Sequence, residues 1–145
     1  MIETIIGIDA AVAPERTGIA IGRRIAERSG IFSTVAYSRT TDSDLLLQRL
    51  TEAVRASNGA VLLAVDAPLG WPAPLGSSLS RHLAGEPLSC SAHELFRRET
   101  DRVVRRLLGK QTLDVGADRI ARTAHAALDL VSRLARSADT RFELA

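Results

Sequence analysis

One cysteine cannot close an intramolecular disulfide, and it leaves neither a thiolate cage for a metal nor a redox pair. Cys90 follows Pro87 and lies between Ser89 and Ser91, so it reads as an ordinary loop cysteine. No apolar run approaches the length of a membrane span, and nothing resembles a signal peptide. The expectation is a cytoplasmic protein with no membrane partner. Internal repeats and low-complexity tracts are also missing. Lysine is nearly absent: all but one of the 19 basic residues are arginine. Arginine forms bidentate pairs with phosphate, which permits a polyanionic partner. A bias in the coding sequence gives the same preference, so both readings stand.

A hydrophobic content of 46% excludes disorder as the main state. At 145 residues the chain is one domain with room for a real core. Its net charge of +2 is unevenly spread, with a net of −2 over residues 1–96 and +4 over residues 97–145. The second part therefore carries a modest basic patch, a weak electrostatic footprint by itself.

The stretch Leu62-Leu63-Ala64-Val65-Asp66-Ala67-Pro68 runs four apolar residues into an aspartate and then into breakers. Such a run predicts a strand buried on both faces, in the middle of a sheet. Ligands and catalytic groups collect at the carboxyl ends of such strands. Ile5-Ile6-Gly7-Ile8-Asp9-Ala10 repeats the design. Strands are predicted over 3–9, 17–22, 31–37 and 60–66, the first three forming antiparallel pairs. Between the third and fourth, Thr41 or Asp42 caps a helix whose face is Leu46, Leu50, Ala53 and Val54, with Leu47 beside it. Asn58-Gly59 is expected to end that helix in the left-handed conformation. A strand, a helix and a strand make a crossover, so the fourth strand should run parallel to its partner.

Residues 67–92 read as a loop-rich insertion, with a short helix over 77–84 ended by Gly85. Further helices are predicted over 100–108, stopped by Gly109, and over 117–136, with the stripe Ile120, Ala124, Ala127, Val131 and Leu134. Arg141 to Ala145 reads as the beginning of another strand. Three antiparallel strands, a helix, a parallel strand and following helices fit a ribonuclease H-like α/β arrangement with a mixed sheet. The whole chain, 1–145, then forms one such domain.

In that arrangement the fourth strand lies beside the first, about 4.8 Å away. Asp9 and Asp66 would stand side by side, and two unpaired carboxylates that close repel. A divalent cation, Mg2+ or Mn2+, removes the repulsion, and hard cations favour oxygen ligands. Phosphodiester cleavage with two metals needs them about 3.5–4 Å apart between carboxylates. The bland reading has each aspartate bonding its own following turn, as aspartate often does. Trp71, between Gly70 and Pro72, reads as a loop anchor, with stacking on a base as the other option. His93 and His125 belong to no ligand pattern.

Four stretches resemble a known family, domain-of-unknown-function family 429, predicted RNase H-like nucleases. They are Ile6-Gly7-Ile8-Asp9 with Thr17-Gly18; Ala64-Val65-Asp66-Ala67-Pro68-Leu69-Gly70-Trp71-Pro72; Phe96-Arg97-Arg98-Glu99-Thr100-Asp101-Arg102; and Leu113-Asp114-Val115-Gly116-Ala117-Asp118-Arg119-Ile120. The resemblance covers nearly the whole chain. It implies an RNase H-like hydrolase that cleaves DNA or RNA with a divalent metal, Asp9 and Asp66 being the ligands. Catalysis of that kind uses three or four carboxylates, and the matching motifs offer Asp101 and Asp118 as the others. Thr17, Arg97 and Arg119 become candidates for substrate contact, with Arg98 and Arg102 beside them. Alternatively, Asp101 and Asp118 hold arginines such as Arg102 and Arg119 in structural ion pairs. The family resembled continues through a further strand, helices and carboxylate. The expectation is therefore a sheet incomplete at its C-terminal end, with an open edge able to pair with a second copy or a partner chain. Two other functions fit the same residues: a nucleotide-binding phosphotransferase of the actin and sugar-kinase type, and a non-catalytic binding module.

Overall fold

The computed structural model describes the backbone of residues 1–25, 32–39, 42–116 and 118–143, and their side chains except at 32–39 and 118. Four strands form one mixed sheet. β1 (Ile2–Asp9) pairs antiparallel with β2 (Gly18–Arg24), and β2 pairs antiparallel with β3 (Phe32–Arg39). Helix α1 (Ser43–Arg55) then leads to β4 (Ala60–Val65), which lies parallel to β1, and the order is β3-β2-β1-β4. The chain is thus a mixed α/β protein.

It divides into two compact units, residues 1–67 with 125–145, and residues 68–124. In the first, period-two alternation sends Ile6 and Ile8 of β1 and Ile19 and Ile21 of β2 to one buried face. Leu46, Leu50 and Ala53 of α1 close over that face, as their helical spacing predicts, with Leu47 and Val54 partly buried alongside. Leu134 of α5 (Asp118–Ala138) completes the same core. Asp42 caps α1, its carboxylate accepting from the amides of Asp44 and Leu45 at 2.8 and 3.3 Å. Thr41, the other predicted cap, lies outside the described residues, as do Ile31, Ala117 and the last two residues of the expected terminal strand.

Several expectations are corrected. Among the described residues β4 stands last in the strand order, and its alternate residues Ala60, Leu62 and Ala64 are exposed, Leu62 at 40%, so it is not buried on both faces. An apolar run shows that a strand is part of a sheet but not that both its faces are covered. α1 ends at Ala56 in right-handed geometry, and Gly59 serves another purpose. A Cβ there would come within 2.5 Å of Glu3 Cγ and 3.3 Å of the Met1 carbonyl, so glycine permits close strand approach. Residues 141–143 are not strand.

In the second unit the expected helix at 77–84 lies earlier, as α2 (Ala73–Leu79). Pro72 is its N-cap and Pro74 lies in its first turn, where no amide is needed, so neither breaks it. A five-residue helix, α3 (Ala92–Phe96), starts from a capping box in which the Ser91 hydroxyl and the Glu94 carboxylate each bond the other's backbone amide. α4 (Glu99–Leu108) ends at Gly109 with φ of 65°, a left-handed conformation that glycine adopts without strain. Leu95 and Val115 are buried, and the Val115 amide donates to the Phe96 carbonyl at 3.1 Å.

Candidate functional site

β1 and β4 bring their two terminal aspartates level. Their paired residues run in parallel register through Gly7 with Ala64 and Ile8 with Val65. The Asp66 amide extends the ladder by donating to the Ile8 carbonyl at 2.8 Å. Asp66 therefore stands beside Asp9. Ile6 and Ile8 face the core, so alternation puts Gly7 and Asp9 on the opposite face of β1. Ala64 and Asp66 follow on the same side, since Leu63 and Val65 pack toward the core.

On that face the side chains are small. Gly7, Gly18, Ala20 and Ala64 surround the aspartates and leave a concavity of about 550 Å3 that Asp9 and Asp66 both line. Gly18 is the cross-strand partner of Asp9, and a Cβ there would lie 3.6 Å from Asp9 Cβ and 4.0 Å from its Oδ2. The Asp9 side chain thus lies over Gly18. Both aspartates are exposed, and neither carboxylate has a hydrogen bond or ion pair among the described residues. No group of three or more His, Cys, Asp or Glu able to hold a metal occurs among those residues. Two free carboxylates in one concavity are still a donor set that magnesium accepts, because it keeps several waters and takes one or two carboxylates plus substrate phosphate oxygens.

Of the other expected residues, Thr17 belongs to the first unit and Arg97, Asp101, Asp118 and Arg119 to the second. Thr17 is 3% exposed, and its hydroxyl accepts from the Ala11 amide at 3.2 Å and donates to the Ala11 carbonyl at 3.4 Å. It ties the β1–β2 loop together from inside. Asp101 belongs to the second unit and is also 3% exposed. Its Oδ2 accepts from the Arg98 amide at 2.9 Å and Arg98 Nε at 3.0 Å, and its Oδ1 from Arg98 Nη2 at 2.7 Å. The structural ion pair offered for Asp101 is therefore present, but with Arg98; Arg102 pairs instead with Glu99, at 3.3 Å. The spacing Arg98-x-x-Asp101 is the signal that sequence reading passed over, a carboxylate in the first turn reaching back to the residue that precedes the helix.

Burial by itself would push the Asp101 carboxyl up, but the bonds and charge of Arg98, joined by the Thr112 hydroxyl, outweigh it and hold the group below its usual range. Asp118 opens α5. Arg119 is exposed, whereas the Arg97 side chain is only 13% exposed and places Nε 3.4 Å from Asp114 Oδ1. His125 is exposed on α5, and Trp71 is 40% exposed. No described helix is long and apolar enough to cross a membrane.

A family model described as Protein of unknown function (DUF429) matches residues 7–143. No curated protein and no solved structure matches the chain.

Proposed function

The chain belongs to the DUF429 family, and from that premise we propose that it is a divalent-metal-dependent nuclease of RNase H-like fold, with Asp9 and Asp66 as the metal ligands. The observation that carries the reading is the pairing of these two free carboxylates in register on one face of the sheet. The strand order β3-β2-β1-β4, with only β4 parallel to β1, supports the fold reading, since the RNase H-like arrangement builds its sheet in this order. The open concavity supports a large substrate, because its floor of glycine and alanine lets a backbone phosphate approach both carboxylates.

Asp9 and Asp66 would hold Mg2+ or Mn2+. The bound cation supplies Lewis acidity toward the phosphate and a water of lowered pKa. The chain's own part is to fix the two carboxylates. The β1–β4 ladder sets their spacing, and Gly18 leaves room for the Asp9 side chain. The buried Thr17 hydroxyl keeps the loop after Asp9 in place through Ala11.

The test is cleavage of labelled single-stranded, duplex and hybrid oligonucleotides with magnesium, with manganese and with chelator. Metal-dependent cleavage by the native chain, lost in both Asp9→Asn and Asp66→Asn, is expected. Cleavage that survives either substitution overturns the assignment of ligands, and absence of metal-dependent cleavage of every substrate overturns the nuclease.

A further inference from the structure

The second unit holds a cleft whose walls are all basic. Its volume is about 450 Å3, and it is lined by His93, Arg97, Arg102, Arg105 and Arg106. Local spacing in the sequence gives only part of it, because the residues come from α4 and from α3 with its C-cap. Arg102, Arg105 and Arg106 follow helical spacing, i, i+3 and i+4, and so share one face of α4. Val103, Leu107 and Leu108 lie on the rest of its circumference. His93 of α3 and Arg97, the residue that ends α3, form the facing wall.

Like charges gathered around one space repel unless something answers them. Carboxylates are nearby, but none lines the cleft. Glu99 reaches Arg102 at 3.3 Å and Arg106 at 3.7 Å, and Asp114 reaches Arg97 at 3.4 Å. Glu94 accepts from the Ser91 hydroxyl at 2.7 Å and also feels the charges of Arg102 and His93. Arg105 has no ion pair or side-chain hydrogen bond among the described residues. Arg97 lines the same space with a largely buried side chain. Guanidinium groups gathered around one open space suit an oxyanion, which each can meet with paired N–H donors.

We propose that this cleft binds consecutive phosphate groups. One phosphate does not use the whole array: Arg102 and Arg106 are four residues apart, a rise of about 6 Å along the helix. Two or more linked phosphates span that length and meet a fork at each step. The chemistry is shared by a nucleic-acid strand and by a free polyphosphate such as the tail of a nucleoside triphosphate. The site lies in the unit that does not contain Asp9 and Asp66, so its occupancy is read with metal removed.

The test measures binding of a fluorescent single-stranded oligonucleotide to the native chain in chelator, with inorganic tripolyphosphate as competitor and as direct ligand by calorimetry. Arg105→Ala and Arg106→Ala alter exposed side chains, so folding should be preserved. Each is expected to weaken binding roughly tenfold. Each should also lower the dependence of log K on log salt by about 0.7 for every strand phosphate that the shortened side chain no longer reaches. Arg136→Ala, an exposed arginine in the other unit, is the control and should leave affinity unchanged. Oligonucleotide binding that tripolyphosphate does not displace identifies a strand as the ligand. Tripolyphosphate binding without oligonucleotide binding identifies a free polyphosphate. Failure of both to bind, or affinity unaltered in Arg105→Ala and Arg106→Ala, overturns the site.

Discussion

Arg98 grips Asp101 three times, through its backbone amide at 2.9 Å and two guanidinium nitrogens at 3.0 and 2.7 Å. The carboxylate is almost fully buried, while the Arg98 side chain remains about a quarter exposed. Breaking a buried pair by removing one partner costs about 3–5 kcal/mol when both ions are dry. Here water still reaches the arginine, which lowers the cost. Asp101→Ala is expected to destabilise the chain by roughly 2–3 kcal/mol, from the missing bonds and the stranded Arg98 amide. Urea denaturation followed by circular dichroism checks this, and a loss below about 0.5 kcal/mol would show that the pair contributes little.

The same pair sets a pH dependence. Desolvation alone would raise the Asp101 carboxyl, but Arg98 and Thr112 hold it below its ordinary value of 3.8. Its native pKa is therefore lower than its unfolded one. The stabilisation is fully present above the unfolded value, near pH 4, and is lost as pH falls through the native value. The native chain should lose stability in acid below about pH 4, and Asp101→Asn should start lower and show a flatter acid limb. Midpoints of denaturation across the acid range up to neutral pH measure both curves.

Glu94 offers a local test of the α3 cap. The Ser91 hydroxyl, and then its backbone amide, hold the Glu94 carboxyl below the usual range. Ser91→Ala removes the first of these and keeps the second. The Glu94 titration, followed by carbon-detected NMR, is expected to move upward toward the ordinary value without reaching it. An unchanged titration would mean that the capping box does not persist in solution.

How far these features could be read beforehand depended on how local they are. The stripe Leu46, Leu50 and Ala53 was legible because a helix must bury one face at that spacing, and the same three residues are buried. The alignment of Asp9 with Asp66 was legible because a crossover helix forces parallel pairing of the strands that flank it. The exposure of Leu62 was not, since an unbroken apolar run does not show that one face of its strand is left uncovered. α3 was missed at five residues, although the Ser91-x-x-Glu94 spacing announces its start. The basic cleft joins His93 to Arg106 across a helix–helix turn, and no periodicity within either helix encodes that meeting.

Gly116 packs against a ring. A Cβ at this position would lie 2.9 Å from Phe96 Cδ1 and 3.3 Å from Cε1, closer than carbon atoms tolerate. The ring is bulky, and the adjacent Val115 is anchored to the Phe96 carbonyl, so little relief is available. Gly116→Ala is expected to destabilise by about 1–3 kcal/mol through overpacking. The paired variant Gly116→Ala with Phe96→Leu should recover part of that loss, because the ring atoms that clash are gone. Denaturation midpoints of the two variants and of Phe96→Leu alone make the comparison, and no coupling between the sites would mean that the ring has another resting place.

Asp9 and Asp66 can be replaced at little cost to the fold. Neither carboxylate has a hydrogen bond or ion pair among the described residues. Asp66→Asn should therefore leave stability in chelator within about 0.5 kcal/mol of the native chain. A ligand that binds only the folded state at a hundredfold excess over its Kd adds about 2.7 kcal/mol. For a chain of this length that corresponds to roughly 2–4 °C of Tm per kcal/mol. Manganese should raise the Tm of the native chain and leave Asp9→Asn and Asp66→Asn unmoved, while Arg105→Ala responds as the native chain does. The comparison reads the carboxylate pair without any nucleic acid, so it separates loss of the metal from loss of the substrate. Equal shifts in native chain and variants would place the metal elsewhere, and no shift in the native chain would leave the two aspartates without a cation to share.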